Sequence, residues 1–384
     1  MLTCQKHRFS LPEDLHYLNS AYMSPLLRQV EAAGIAGIRR KRNPATIDAA
    51  DFFEESDRVR ERFAALVNAP DPSRIALIPS ASYGLATAAQ NLPVSRGARI
   101  VVAGEQFPSN VYPWRRLAAE RGAVVHTVPA PAGPERGRRW NERLLDAITP
   151  GTAIVALGHV HWTDGTRFDL ERIGGRAREV GAALVVDGTQ SVGALPFDVQ
   201  ALQPDALVCA GYKWLMGPYS LGVAYFGPRF DDGRPLEENW ITRRGSEVFS
   251  GLVDYVDAYQ PGAVRYDVGE RSNFILVPML RAALDQLADW GVAAIQDYGR
   301  RLSDDLIAEA RTLGYAVEDA AWRSAHLVGL RLPPGRPRER LLAALAARNV
   351  VVSVRGEAIR VSAHVYNDED DMQALQDALH AAAG

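Results

Sequence analysis

At 384 residues and 47% apolar content, the chain exceeds one typical domain and can bury substantial cores, so one large and one smaller domain are expected. A net charge of −3, with arginines interleaved among acids, argues against nucleic acid or an anionic membrane as partner. Cys4 and Cys209 are too few for a disulfide framework, neither has a companion at zinc spacing, and no signal-peptide core or membrane-length apolar run occurs; a soluble, cytoplasmic protein without a metal is expected.

Residues 1–20 show little periodicity and read as an arm packed on another part of the molecule. Ser24-Pro25 opens a helix by the cap-then-proline rule, running toward Arg42. A second helical stretch, 49–67, carries Phe53, Val59, Phe63 and Leu66 at mostly helical spacing. Strands and helices then alternate, with short apolar runs at 75–78, 99–102, 124–128, 153–157, 183–186, 206–209 and 221–226. That pattern predicts a mainly parallel, seven-stranded sheet covered on both faces. The proline-bearing stretch 129–134 reads as a surface loop. From 227 to 269 the chain is irregular, a length that is often functional or braced by a second subunit. One helix over 277–313 is expected to link the domains. Apolar runs at 327–332, 350–354 and 359–362, with a helix over 337–348, then predict a small α/β unit. Its last helix starts at the acidic run Asn367-Asp-Glu-Asp-Asp371, which suits a positive helix N-terminus. The resulting division is an arm over 1–20, a large domain over 21–265, and an interdomain helix with a smaller C-terminal domain over 266–384.

Two of the strands end on reactive groups. Asp187 closes Ala183-Leu-Val-Val-Asp187, and Lys213 follows the next strand in Gly211-Tyr212-Lys213. Ligands of such sheets bind at the carboxyl ends of the strands. An amine and an acid delivered there suit pyridoxal phosphate: the lysine forms a Schiff base, and the carboxylate keeps the pyridine nitrogen protonated so that the ring accepts electrons. Taken singly, a strand-end Asp often caps a helix, and a Lys after a strand is usually solvated. Gln190, Tyr212 and the glycines Gly211, Gly217 and Gly222 add weight to the pair. The first strand runs into Pro79-Ser80-Ala81-Ser82-Tyr83-Gly84 and an Ala-rich helix, where backbone N–H groups and the Ser80 or Ser82 hydroxyls can cradle a phosphate. Dinucleotide and P-loop glycine patterns are absent, and Ser80 stands where a serine-hydrolase elbow around Ser82 needs glycine.

Glu105-Gln-Phe107-Pro-Ser-Asn110, His159-Val-His161-Trp162-Thr-Asp-Gly165, Asp187-Gly-Thr-Gln190, Gly211-Tyr212-Lys213 and Ile359-Arg360-Val-Ser-Ala-His364-Val-Tyr366-Asn367 resemble class V aminotransferases, in order and over almost the whole chain. That family includes cysteine desulfurases, selenocysteine lyases, kynureninases and isopenicillin N epimerase-like proteins. The resemblance implies a fold type I pyridoxal-phosphate-dependent transferase acting as a homodimer with its site at the dimer interface. It implies Lys213 as the covalent attachment point, Asp187 as the pyridine-nitrogen partner, Gln190 as donor to the phenolic oxygen, and Phe107 as the stacking ring. Tyr212, Ser82 and the Ala81 backbone, with Ser80, would bind phosphate, while Ser272 and Asn273 of Arg271-Ser272-Asn273 would reach the partner subunit's phosphate. Arg360 would bind the substrate α-carboxylate through its planar fork. Trp162 stands where many relatives have asparagine, Ala210 where they often have a phosphate-binding serine, and His161 and His364 are further substrate candidates beside a common structural role for buried histidines.

Cysteine desulfurases carry a nucleophilic cysteine on a loop just before the arginine strand, and Ser353-Val-Arg-Gly-Glu-Ala358 has none. The expected function is therefore action on a small free amino acid through an external aldimine, as a lyase that eliminates a β-substituent or splits C–S or C–Se bonds without a persulfide cysteine. Amino transfer or epimerisation is the alternative within the family. A non-catalytic cofactor-binding regulator is the alternative of another class; Lys213, Asp187, Gln190 and Arg360 together argue against it, since binding alone needs no electron-sink arrangement.

Overall fold

The computed structural model describes residues 1–355 and 358–383. In chain order, a short strand β1 (His16–Tyr17) precedes helices α1 (Arg28–Arg40) and α2 (Glu54–Leu66). Then come β2 (Ile75–Ile78), α3 (Ala81–Asn91), β3 (Arg99–Ala103), α4 (Tyr112–Arg121), β4 (Val124–Val128), α5 (Arg136–Ala147) and β5 (Thr152–Gly158). These are followed by α6 (Leu170–Glu179), β6 (Ala183–Asp187), α7 (Val199–Leu202), β7 (Ala206–Ala210) and β8 (Gly222–Phe226). Strands β2 to β8 form the expected seven-stranded sheet in the order β2-β8-β7-β6-β5-β3-β4. Only β8 opposes the rest, pairing antiparallel with both β2 and β7.

The strands are apolar on both faces because both are covered. Leu77, Val101, Val155, Leu157, Leu184, Val186, Leu207 and Val223 join a core with α2, α5, α6 and the C-terminal helices. Their alternates Ala76, Ile78, Val102, Ala156, Val185, Val208 and Ala224 pack under α3 and α4. The helix α3 lies close to the sheet: a Cβ on Gly84 would come 2.8 Å from Val208 Cγ1. The strand order reverses between β3 and β5, which opens a crevice at their carboxyl ends.

The expected single helix over 277–313 is two, α8 (Leu276–Trp290) and α9 (Val292–Thr312), broken at Gly291, whose φ of +76° leaves the helical region. The first helix starts later than Ser24-Pro25 predicts, at Arg28 with Leu27 before it, and Ser24 instead ties to the lysine turn by donating its N–H and hydroxyl to the Tyr212 carbonyl. Beyond α9, β9 (Val328–Arg331), α10 (Arg338–Ala346), β10 (Val350–Val351), β11 (Ser353–Arg355), β12 (Ala358–Val361) and α11 (Glu369–Ala383) complete the chain. The apolar run expected as one strand at 350–354 divides: β10 pairs with β1 of the N-terminal arm, and β11 joins β12 and β9 in a separate three-stranded sheet. Residues 227–269 form short 3₁₀ turns and one isolated antiparallel bridge, Arg243 to Tyr259, as the irregular sequence implies.

The outer edge of β2 is closed by a buried charge cluster. Asp267 accepts from Leu77 N at 2.8 Å, from Arg60 Nη1 at 3.1 Å and from Arg271 Nη1 at 2.6 Å, and Val268 N donates to Leu77 O. Substituting Asp267 by Ala leaves two buried guanidinium groups and a strand N–H without their acceptor. A loss of about 3–5 kcal/mol is expected, read as a lower denaturation midpoint in urea with an unchanged slope; a midpoint within error of wild type would show that water replaces the carboxylate.

Candidate functional site

The carboxyl ends of β2, β3, β5, β6 and β7 surround a cavity of about 350 Å³, a size suited to a small cofactor with a substrate. Of the residues expected from sequence, Ser80, Ala81, Ser82, Phe107, His161, Trp162, Asp187, Gln190, Tyr212 and Lys213 all line it. Gly211 lets the chain leave β7 beside β8, since a Cβ there would meet Leu221 O at 2.4 Å. Lys213 follows, with its amine 5.4 Å from the Phe107 ring centroid and 5.6 Å from that of Tyr212. Burial lowers its pKa to about 8; Arg360 and Arg355 push the same way and Asp187 opposes them. Such an amine is about one-tenth neutral and nucleophilic at pH 7, some hundreds of times more than an unperturbed lysine.

Asp187 ends β6 and lines the cavity. Thr189 N donates to its Oδ1 at 3.0 Å. Burial pushes its carboxyl above the ordinary range, against the Thr189 bonds and the Lys213 charge. A cationic partner in the cavity would restore its charge. Gln190 is held by its own amide: Trp214 Nε1 donates to Oε1 at 2.9 Å, and Nε2 donates to Ala21 O at 3.0 Å. Because an indole only donates, this fixes which end of the amide is NH₂, and one N–H is left over.

At the start of α3, Ser80 Oγ accepts from Tyr83 N at 3.2 Å and lies 2.9 Å from Ser82 Oγ. Capping by Ser80 leaves the helix N-terminus and the Ser82 hydroxyl at the cavity, an arrangement able to receive a phosphate. Phe107 keeps 41% of its surface exposed, enough to present a ring face to a flat ligand, with Trp162 edge-on at 5.4 Å. His161 lines the cavity with both nitrogens engaged, Nδ1 by Thr163 Oγ1 at 2.8 Å and Nε2 by Gly104 O at 3.2 Å. The loop that carries it is pinned where Gly165, at φ +77°, passes so near Leu327 O that a Cβ would overlap it.

Arg360 is 1% exposed and has no carboxylate partner among the described residues. Its Nη1 donates to Trp162 O at 2.7 Å, its Nη2 to Ser353 Oγ at 3.4 Å, and its Nε is unpartnered. Burial, with repulsion from Arg355, lowers its pKa to about 9. A buried guanidinium without an acid is unsatisfied until an anion reaches it.

Four expected residues do not line the cavity: Arg360 adjoins it only through its bond to the Trp162 carbonyl, and the other three stand elsewhere. His364 packs behind Trp214 at 5.6 Å between ring centroids, with neither nitrogen bonded and its pKa pushed down to about 3 by burial. Ser272 and Asn273 stand at the start of α8, where Ser272 Oγ donates to Phe52 O and Asn273 Oδ1 accepts from Ile275 N and Leu276 N. Of the loop before the arginine strand, Gly356 and Glu357 lie outside the described residues. Sequence reasoning missed Thr189, Gln106, Tyr219 and Ser220, which also line the cavity. Thr189 and Gln106 sit inside motifs already singled out, and Gln106 Oε1 accepts from Gly158 N at 3.1 Å, tying the β3 loop to β5. Tyr219, whose ring packs 4.6 Å from Tyr212, carries no sequence signal.

A lysine amine with no hydrogen-bond partner among the described residues, an acid lining the same cavity, a ring face and a hydroxyl-bearing helix N-terminus are the donor set of a pyridoxal phosphate site, and the residues fit that group. Among the described residues no cluster of His, Cys, Asp and Glu could hold a metal, and no helix is long and apolar enough to cross a membrane. The family model for class-V aminotransferases matches residues 45–375. Isopenicillin N epimerase from Streptomyces clavuligerus is 27% identical over 341 residues, covering 85% of this chain and 84% of the relative. A probable cysteine desulfurase from Methanothermobacter thermautotrophicus is 27% identical over 348 residues, covering 85% of this chain and 83% of the relative. The chain has the fold of C-DES with glycine covalently linked to its PLP cofactor, at a TM-score of 0.85 and 20% identity, over 98% of this chain and 99% of the other. The cystine C–S lyase C-DES bound to its product cysteine persulfide superposes with a TM-score of 0.83 at 20% identity, over 96% and 97% of the two chains. Pyridoxal phosphate is thus the cofactor that both the site and the relatives indicate, and the chain belongs to the class-V aminotransferase family of pyridoxal-phosphate-dependent enzymes.

Proposed function

We propose that the chain is a lyase for a small free amino acid, eliminating a β-substituent or cleaving a C–S or C–Se bond directly from the substrate. The observation that carries the amino-acid assignment is the Lys213 amine lining the cavity, its pKa lowered to about 8 by burial and in part by Arg360, together with the buried Arg360 guanidinium, which has no carboxylate partner among the described residues. When bound, the cofactor supplies an electron sink for a carbanion at the substrate's Cα. Lys213 takes and returns the proton at that carbon. Asp187 holds charge at the pyridine nitrogen, Gln190 donates its free N–H to the phenolic oxygen, and Phe107 covers the ring. Ser80, Ala81, Ser82 and Tyr212 bind the phosphate. Arg360 binds the α-carboxylate with Trp162 beside it. Ser272 and Asn273 complete the phosphate site of a second copy in a homodimer, which accounts for their distance from the cavity of their own chain.

Direct elimination is supported by the placement of the two cysteines. Cys209 is buried in β7 with its thiol pKa pushed well up, and Cys4 Sγ is occupied by Tyr366 O at 3.8 Å; a sulfur-accepting residue must be an exposed thiolate. A Cys4→Ser, Cys209→Ser double variant is expected to keep most of its turnover. The decisive assay is release of pyruvate, ammonia and sulfide or selenide against a panel of amino acids. Keto acid formed with stoichiometric amine transfer, loss of α-chirality without elimination, or a persulfide on either cysteine during turnover would overturn the lyase reading. The similarity to isopenicillin N epimerase keeps epimerisation as the second reading, and the chirality arm of the assay separates the two.

A further inference from the structure

The backbone of Gln190 is anchored from a direction that the site itself does not suggest. His326, just before β9, is 2% exposed, and its Nε2 lies 2.8 Å from the Gln190 carbonyl. A carbonyl only accepts, so Nε2 carries the proton and Nδ1 is the acceptor. Gln296 of α9 meets that need, its Nε2 lying 3.0 Å from His326 Nδ1. The Gln296 amide is itself oriented, since Nε2 also donates to Ala194 O at 2.6 Å and Oε1 accepts from Ala325 N at 2.9 Å. Trp214 closes the loop. Its ring packs edge-on against His326 at 4.5 Å, and its N–H holds Gln190 Oε1. Gln190 is thus bonded through its backbone by His326 and through its side chain by Trp214, the residue after Lys213.

We propose that His326 is a positioning residue for the reaction: held by Gln296, it fixes the backbone of Gln190 and the plane of Trp214, and so aims the free Gln190 N–H at the cofactor's phenolic oxygen. This rests on the cofactor reading above. All partners are buried, so losing one bond leaves an unpaired polar atom in a low-dielectric site, where that costs the most. A burial-only role for His326 would need no fixed tautomer and would not link an interdomain helix to the lysine turn.

The test uses two amide replacements in the holoenzyme. In His326→Gln the amide reaches the Nε2 position and keeps the donor to Gln190 O; in His326→Asn it stops near Nδ1 and loses it. The Asn variant is expected to shift the visible band of the cofactor and to lower turnover about tenfold, equivalent to about 1.4 kcal/mol. The Gln variant is expected to keep the wild-type band. If the Asn variant does not fold, Gln296→Leu, which withdraws the donor to Nδ1, is expected to shift the band in its place. Unmoved bands in the folded variants, or equal shifts in Asn and Gln, would overturn the proposal and leave His326 a packing residue. Borohydride fixation of the cofactor in wild type is run alongside. No label at Lys213 would defeat the cofactor reading itself, whereas a labelled Lys213 with an unmoved Asn-variant band defeats only the role of His326.

Discussion

Replacing Lys213 by Ala is expected to remove both covalent fixation of the cofactor and the proton carrier at Cα. Wild-type protein should be yellow and, after borohydride reduction, should carry the cofactor's mass on the peptide containing Lys213; the variant should carry none. Loss of a positioned general base alone costs about 10²–10⁴ in rate, and loss of the covalent exchange adds to that, so turnover should fall by about four orders of magnitude or more. The lowered pKa of the amine makes a second, pH-based expectation. Burial favours the neutral form, so capture of added cofactor by the apoprotein should quicken as pH rises and level off above about 8, not near the 10.5 of an unperturbed lysine. Label found elsewhere in the chain, or unchanged in the variant, would remove Lys213 from the chemistry.

Much of the fold was legible because each central strand is a short apolar run with no polar alternation, which only a sheet covered on both faces requires. The same reasoning could not see the break at Gly291, since an isolated glycine in a helical pattern is often tolerated and only the packing of α8 against α1 and α2 decides. Nor could it divide residues 350–354 between two sheets, because β10 exists only where the N-terminal arm supplies β1 as its partner. Within the site, Lys213, Asp187, Phe107 and Trp162 were readable because strand ends in such sheets point into one crevice. His364 was not, because motif proximity says nothing about which side of Trp214 a ring will stack on. Gln296 and His326 reach Gln190 across more than a hundred residues, through tertiary packing that no local pattern encodes.

Asp187→Asn is the sharpest test of the electron sink. The substitution is close to isosteric and keeps an oxygen to accept from Thr189 N, so the fold and the cavity should persist. What changes is charge. In the wild type, burial raises the carboxyl pKa while Thr189 and Lys213 lower it. A protonated pyridine nitrogen would add the strongest opposing influence, holding the acid ionised in a dry site where charge-assisted bonds are short and strong. An asparagine can offer that nitrogen no charge, and the ring becomes a poorer acceptor for the electrons left at Cα. Turnover is expected to fall about a hundredfold or more, equivalent to about 2.7 kcal/mol in the barrier. Cofactor content and borohydride labelling at Lys213 should stay near wild type, because the Schiff base does not need the carboxylate. On the proposed roles the loss should therefore appear in kcat, since Arg360 and not Asp187 would hold the amino acid. Wild-type turnover in a fully loaded Asn variant would mean that Asp187 serves only the β6 turn through Thr189, and the electron sink would have to be sought elsewhere in the cavity.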